Sequence, residues 1–351
     1  MNLFDYIRPA TLDEAAEAGA APGAAYLGAG TNLLDLMKVG AMRPARIVDL
    51  TRIPGLSAIE DMPDGGLRIG ALVRNSDVSA DPRIRARFPA VAEALLSGAS
   101  AQLRNAATVG GNLMQHTRCP YFADPESPCN RRAPGTGCAA LGGETRMMAV
   151  LGASDQCIAT HPSDFCVPLV ALDAVVEVLG PSGRRELPLE EVHLLPGDTP
   201  QVVTALAPGE IVTALRLPGA SAAFAANARY VKLRDRTSYA FALVSAAAAL
   251  RIENGRIVEA RLALGGVAAK PWRTRGAEAV LTGAAPEADA FAEAAEAALA
   301  MAAPIGDNDF KITLARRVLV RALARAAAGT PEHLPALPAS AFASQGGTAH
   351  V

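Results

Sequence analysis

Leu27-Gly28-Ala29-Gly30-Thr31-Asn32-Leu33 stands between a strand pattern at 25–27 and a helical pattern that uses Leu33, Leu34, Leu36 and Met37. A strand that runs through two close glycines into a helix frees backbone N–H groups at a helix N-terminus. There the aligned peptide dipoles favour an anion. Thr31 and Asn32 add side-chain donors. The dinucleotide fingerprint G-x-G-x-x-G is incomplete, because position 33 is Leu. Taken alone, the stretch also describes a tight turn with an N-cap. A second stretch, Thr108-Val109-Gly110-Gly111-Asn112, follows about eighty residues later. Its adjacent glycines can form a nest of N–H groups around a phosphate. Together the two loops suit a cofactor whose pyrophosphate is gripped from two sides.

Outward from these loops the chain reads as α+β. In 1–55, Thr11 caps a short helix at 12–18, with Glu14 at the capping-box position. Strands follow at 25–27 and 46–50, before the turn Ile53-Pro54-Gly55. In 56–220 the pattern gives a strand at 67–71, a helix at 84–97 and strands at 167–179 and 210–217. In 221–330 strands are expected at 229–234, 240–250 and 257–264, with Asn254-Gly255 as a hairpin turn. Helices follow at 290–302 and 312–327, and the Pro- and Ala-rich 331–351 reads as a flexible tail.

The 351 residues allow two or three domains, and 50% apolar content supplies a real core. A net charge of −2 with 19% charged residues excludes a disordered chain and argues against a basic nucleic-acid footprint. The 4% aromatic content disfavours a single-strand stacking platform. No apolar run approaches the ~20 residues of a membrane span. The N-terminus lacks the basic and apolar regions of a secretion signal.

Four of the five cysteines fall within 39 residues, spaced Cys119-x9-Cys129-x8-Cys138-x18-Cys157. They lie in a segment at 118–160 that is rich in Pro and Gly and has no clear period. A structureless stretch of that length calls for something other than a core to organise it. No Cys-x2-Cys pair is present, which departs from common zinc sites and ferredoxin runs. The spacing leaves an iron–sulfur cluster, a structural zinc and inert buried thiols all open. Cys166, in an apolar strand pattern, reads as core. His116, His161 and His193 are not spaced as a metal or triad set, and no catalytic residue stands out. His116 is near enough to Cys119 to tune a bound cluster, and His161, before Pro162, reads as structural.

The two glycine loops, with Leu262-Ala263-Leu264-Gly265-Gly266-Val267 and Lys270-Pro271, resemble the FAD-binding medium subunit of molybdenum hydroxylases, the xanthine dehydrogenase family. The match runs from residue 1 to about 328. It implies a two-part FAD-binding domain of the PCMH type, then a C-terminal α+β domain of the CO dehydrogenase flavoprotein type. The cysteine segment, with Arg118-Cys119-Pro120-Tyr121-Phe122 and Cys157-Ile158-Ala159-Thr160-His161-Pro162-Ser163-Asp164, resembles the periplasmic aldehyde oxidoreductase branch. That branch carries an additional [4Fe–4S] cluster, which the resemblance places on Cys119, Cys129, Cys138 and Cys157.

The resemblance also implies that Leu27, Gly28, Ala29, Gly30, Thr31, Asn32 and Leu33 hold the FAD pyrophosphate, and that Thr108, Gly110, Gly111 and Asn112 form the second cofactor loop. It places Asp164 at the adenosine, Ile211 and Val212 near the flavin, and Lys232 beside the cofactor. For Asp164 the plain alternative is an N-cap, for Lys232 a solvated strand residue, and for Tyr239, a candidate neighbour of the flavin ring, a core tyrosine. The implied partners are a large molybdenum-cofactor subunit, a small subunit with two [2Fe–2S] clusters and an external electron acceptor, with no nucleic acid and no membrane insertion. The implied compartment is the periplasm, reached by co-export with a partner that carries the signal; the alternative is the cytoplasm. A self-contained flavin oxidase or dehydrogenase and an iron–sulfur scaffold are the competing readings.

Overall fold

The computed structural model describes residues 1–332. The tail expected at 331–351 lies almost wholly outside them. Three parallel strands, Asp5–Ile7, Arg46–Asp49 and Ala24–Leu27, form the first sheet, with Arg46–Asp49 central. The helix Leu12–Gly19 connects two of its strands. Its Thr11 cap accepts from the Glu14 N–H while Glu14 accepts from the Thr11 N–H, the expected capping box.

A five-stranded antiparallel sheet follows, in the order Ile59–Asp61, Leu67–Gly70, Ile211–Leu217, Val175–Gly180 and Gly183–Pro188. Short helices pack on it. The expected helix at 84–97 is two helices, Pro82–Arg87 and Pro89–Ser97. Pro89 cannot continue a helix from Phe88, whose backbone leaves the helical region. The expected strand at 167–179 is half helix. Cys166–Ala171 is helical, and only Val175–Gly180 is strand. Cys166 is therefore in a buried helix, still within the core.

The last sheet has the order Trp272–Arg273, Arg256–Gly265, Val244–Glu253 and Ala228–Leu233. Asn254 and Gly255 both take positive φ at its hairpin, as the pair predicts. The helices Ala288–Ala298 and Phe310–Ala327 cover one face, together with Arg275–Leu281, which the sequence pattern had not indicated. The alanine run in Val244–Glu253 explains how this sheet joins the rest. Ala246, Ala248 and Leu250 pack with Leu319, Ala322 and Leu323 of the long helix. Ala247 and Ala249 point the other way and join the core of the five-stranded unit. Period-2 alternation sends neighbours to opposite faces. Small side chains let both layers come close, which overrides the low strand propensity of alanine. Among the described residues, no helix is long and apolar enough to cross a membrane.

Candidate functional site

The two glycine loops meet. A Cβ added to Gly28 would lie 2.9 Å from Thr108 Oγ1, so the first loop touches the second only because Gly28 has no side chain. Gly30 takes φ +76°, the left-handed region that lets the chain turn from strand Ala24–Leu27 into helix Leu33–Lys38. Asn32 Oδ1 accepts from the His116 N–H at 2.8 Å, which fastens the first loop to the chain just beyond the second.

The loops differ in what they offer. No described group takes the backbone N–H groups of residues 29–32. In the second loop they are spent. Val109 N–H goes to Val73 O, Gly110 N–H to Ala71 O at 2.7 Å, and Gly111 N–H to the Thr108 side chain. The second stretch is thus the capped helix Val109–Leu113 rather than a nest of free donors, which corrects the phosphate-cradle expectation for Gly110 and Gly111. Its glycines supply closeness and the first loop supplies the donors.

Around them runs a long crevice in two lobes, with cavity volumes of about 320 and 430 Å³. Thr31, Asn32 and Gly111 line both lobes and mark the junction. Each lobe lies within the ~300–1,000 Å³ of ordinary small-molecule pockets, and the two together suit a ligand longer than either. One lobe is walled by Leu27, Gly28, Ala29, Leu33, Thr108, Gly110, Ile211 and Val212. The other is walled by Asn112, Asp164, Lys232 and Tyr239. All fifteen cofactor positions drawn from the sequence therefore line one crevice. An extended dinucleotide fits this shape, and the unpartnered, buried Asn32 Nδ2 at the junction is a donor still lacking an acceptor. We take that orphan, with the free N–H groups of 29–32, as the fit of these residues to a pyrophosphate.

Asp164 and Lys232 form a buried ion pair at 2.7 Å, and Tyr230 donates its hydroxyl to Asp164 at 2.6 Å. Burial first, and the Asp164 carboxylate next, hold the Tyr230 hydroxyl well above its usual range. Asp164 is not an N-cap, since the Ser163 hydroxyl takes the Cys166 N–H instead. Lys232 is not solvated either. Tyr239 is 55% exposed, so it is not a core residue but stands at the rim of the crevice with φ +52°.

The cysteine segment lies beside the crevice. Cys119, Cys129, Cys138 and Cys157 line a single small cavity of about 10 Å³. Cys129 and Cys138 face each other across an isolated antiparallel bridge. Burial pushes the Cys119 thiol up to about 11 and raises that of Cys138, so a cation at this cavity is what would favour the thiolate forms. A single tetrahedral zinc needs sulfurs about 3.8 Å apart. Among the described residues only His161, Cys166 and His193 draw three ligand atoms within 4.8 Å of one another, and these four cysteines do not. Arg131 lines the same cavity, with its Nε buried and unpartnered.

This segment has almost no regular structure, and side chains replace it. Asn130 accepts from the N–H groups of Gly135 and Gly137 and donates to Gln156. Arg132 donates to the carbonyls of Tyr121, Phe122, Pro125 and Ser127. His116 stacks on Phe122 at 5.8 Å, and burial pushes its imidazole down to about 4. Sequence reading missed these hubs, and it missed that His161 and His193 touch, with ring centroids 4.4 Å apart.

Known proteins match this chain along nearly its whole length. Residues 2–220 match the FAD binding domain in molybdopterin dehydrogenase, and 229–326 match the CO dehydrogenase flavoprotein C-terminal domain. The chain is 48% identical over 331 residues to the aldehyde oxidoreductase FAD-binding subunit PaoB of Escherichia coli (strain K12), covering 93% of this chain and 99% of that subunit. It is 28% identical to the carbon monoxide dehydrogenase medium chain of Hydrogenophaga pseudoflava, covering 91% and 96%. The reconstituted CO dehydrogenase structure from Oligotropha carboxidovorans superposes with a TM-score of 0.74 at 26% identity, covering 94% of this chain and 99% of that one.

Proposed function

Because this chain belongs to the FAD-binding medium subunits of the molybdenum hydroxylase family, and is an oxidoreductase subunit of the aldehyde oxidoreductase type, we propose that it is the electron-output subunit of a molybdenum-dependent aldehyde (or N-heterocycle) oxidoreductase. Its partners in this reading are a large molybdenum-cofactor subunit and a small [2Fe–2S] subunit, and an external acceptor takes the electrons. Bound FAD exchanges electrons one or two at a time, so it joins one-electron clusters to a two-electron acceptor. The observation that carries the proposal is the single crevice lined by all fifteen cofactor positions.

This chain's own work is to bind and orient. The free N–H groups of residues 29–32, Thr31 and the Asn32 amide hold the pyrophosphate. Ile211 and Val212 give one lobe an apolar wall, and Asp164, fixed by Lys232 and Tyr230, gives the other an acceptor. No acid–base pair is required of it, because proton chemistry at the substrate belongs to the molybdenum subunit.

The proposal extends to a [4Fe–4S] cluster on Cys119, Cys129, Cys138 and Cys157. The convergence of the four thiols on one cavity beside the Arg131 guanidinium supports it. Metal binding of this kind adds folding free energy to a segment whose own apolar cluster, Phe122, Ala140, Met148 and Ile158 among it, is small. The periplasm, reached with a partner's signal, is the proposed compartment.

The test compares the assembled complex with and without its molybdenum cofactor. Aldehyde should bleach the flavin absorbance only in the loaded complex. Bleaching in the cofactor-free form would favour a self-contained flavin dehydrogenase instead.

A further inference from the structure

Two buried histidines unused by the proposed function stand between the two lobes' supports. His161 is 9% exposed and His193 4%. His161 Nδ1 accepts from the Ser163 N–H at 3.4 Å, and Ser163 directly precedes Asp164. His193 Nε2 contacts Leu113 O at 2.8 Å, the last residue of the second glycine helix. A carbonyl only accepts, so His193 carries its proton on Nε2. A neutral imidazole that accepts at Nδ1 likewise carries its proton on Nε2, which makes His161 Nε2 a donor. The two remaining nitrogens are His161 Nε2, a donor, and His193 Nδ1, an acceptor. Both are buried and both lack a partner, on rings crossed at 61° with centroids 4.4 Å apart.

We propose that His161 Nε2–H donates to His193 Nδ1, closing one directional chain from the Ser163 N–H through both rings to Leu113 O, and that this chain positions the Asp164 segment against the second glycine helix. A turn of one ring about χ2, a soft torsion, closes the contact. One bond then satisfies two orphaned groups, each of which would otherwise cost stability when buried. Burial holds both imidazoles well below their ordinary range, His193 at about 4, which keeps them in the neutral forms the chain needs. Ser163 at one end lines one lobe, and the helix that ends at Leu113 lines the other through Gly110 and Gly111, so His161 and His193 are positioning residues for FAD. The inference rests on the FAD reading above.

Cys166 lies near enough that one nitrogen of each ring and its sulfur fall within 4.8 Å of one another, which raises a metal site as the rival. Proton placement argues against it. A metal on His161 Nε2 would move that ring's proton to Nδ1, against the Ser163 N–H.

The experiment uses the assembled complex. His193→Gln offers an acceptor and a donor on one side chain and can stand in for both contacts. His193→Leu fills the space but offers neither. Wild-type and His193→Gln complexes should rebind FAD after deflavination with similar Kd, and His193→Leu should weaken it by about tenfold or more at unchanged assembly. Equal affinity in the Leu and Gln variants would overturn the chain. So would one equivalent of zinc or copper in the wild type that is lost in Cys166→Ala. A wild type that binds no FAD would overturn the FAD reading instead. If His193→Leu does not assemble, ¹⁵N-histidine spectra of the wild-type complex decide: the chain requires both rings as Nε2–H tautomers, and Nδ1–H on either contradicts it.

Discussion

The glycine crevice and the cysteine segment lie side by side and are built on opposite principles. The crevice takes its shape from regular elements. A strand delivers the first loop, a capped helix forms the second, and missing side chains set the distance between them. The cysteine segment takes its shape from side chains acting on backbone, with Asn130 and Arg132 as hubs and four thiols around a cavity. The first should hold its form before its ligand arrives. In the second, burial favours the neutral thiol at Cys119 and Cys138, a balance that a bound cation would reverse.

This contrast is sharpest for Cys129→Ser. Removing one of four thiolates should cost most of the iron bound by this chain and lower its thermal stability, while FAD remains in the fraction that assembles. Iron assay beside flavin assay checks it. Unchanged iron content would take the cluster off these cysteines. The counterpart in the crevice is Gly28→Val. Its branched side chain would strike Thr108, whose hydroxyl sits 2.9 Å from a Cβ at that position. Flavin should be lost with iron retained. Loss of both together would mean that the two regions form one cooperative unit, tied through the contact of His116 with Asn32.

Asp164→Asn probes the far lobe. It leaves Lys232 buried without its partner, which costs about 3–5 kcal/mol where such pairs are broken. A lowered denaturant midpoint and weaker FAD binding are expected, and Lys232→Met in the same background should restore part of the stability. If Asp164→Asn leaves the midpoint unchanged, the pair is not supporting that wall.

The smallest effect is a pH dependence. Lys311, wholly buried, donates to the carbonyls of Met148 and Gly266, and so pins the cysteine segment, between Cys138 and Cys157, to the C-terminal unit. Burial pushes it down to about 7 from 10.5. Between those values the unfolded chain binds more protons than the folded one, so stability rises as pH rises through that window. Lys311→Met should flatten this rise. An unaltered pH profile of the denaturation midpoint would remove Lys311 as its source.

Legibility in the sequence follows the same division. The glycine loops could be read because turn residues and a change of period act locally, and the Thr11 capping box and the Asn254-Gly255 hairpin were plain for the same reason. Cys166–Ala171 was misread because a short apolar run carries no period that separates a buried helix from a buried strand. The free and spent N–H groups of the two glycine stretches could not be told apart, since Ala71 and Val73 take the latter from far away in sequence. Nor could the hubs at Asn130 and Arg132, or the meeting of His161 with His193, because polar side chains carry no periodic signal of their partners. The cysteine spacing fits no common pattern, so its reading came from resemblance rather than from arithmetic.

The most direct test is the optical spectrum of the anaerobically purified complex, taken with flavin and iron assays before and after dithionite, for the wild type and for Cys129→Ser. Flavin bands over a broad iron–sulfur absorbance are expected, both bleaching, with about four iron atoms per chain more in the wild type than in the variant. Equal iron in the two, or no flavin in the well-folded wild type, would contradict it.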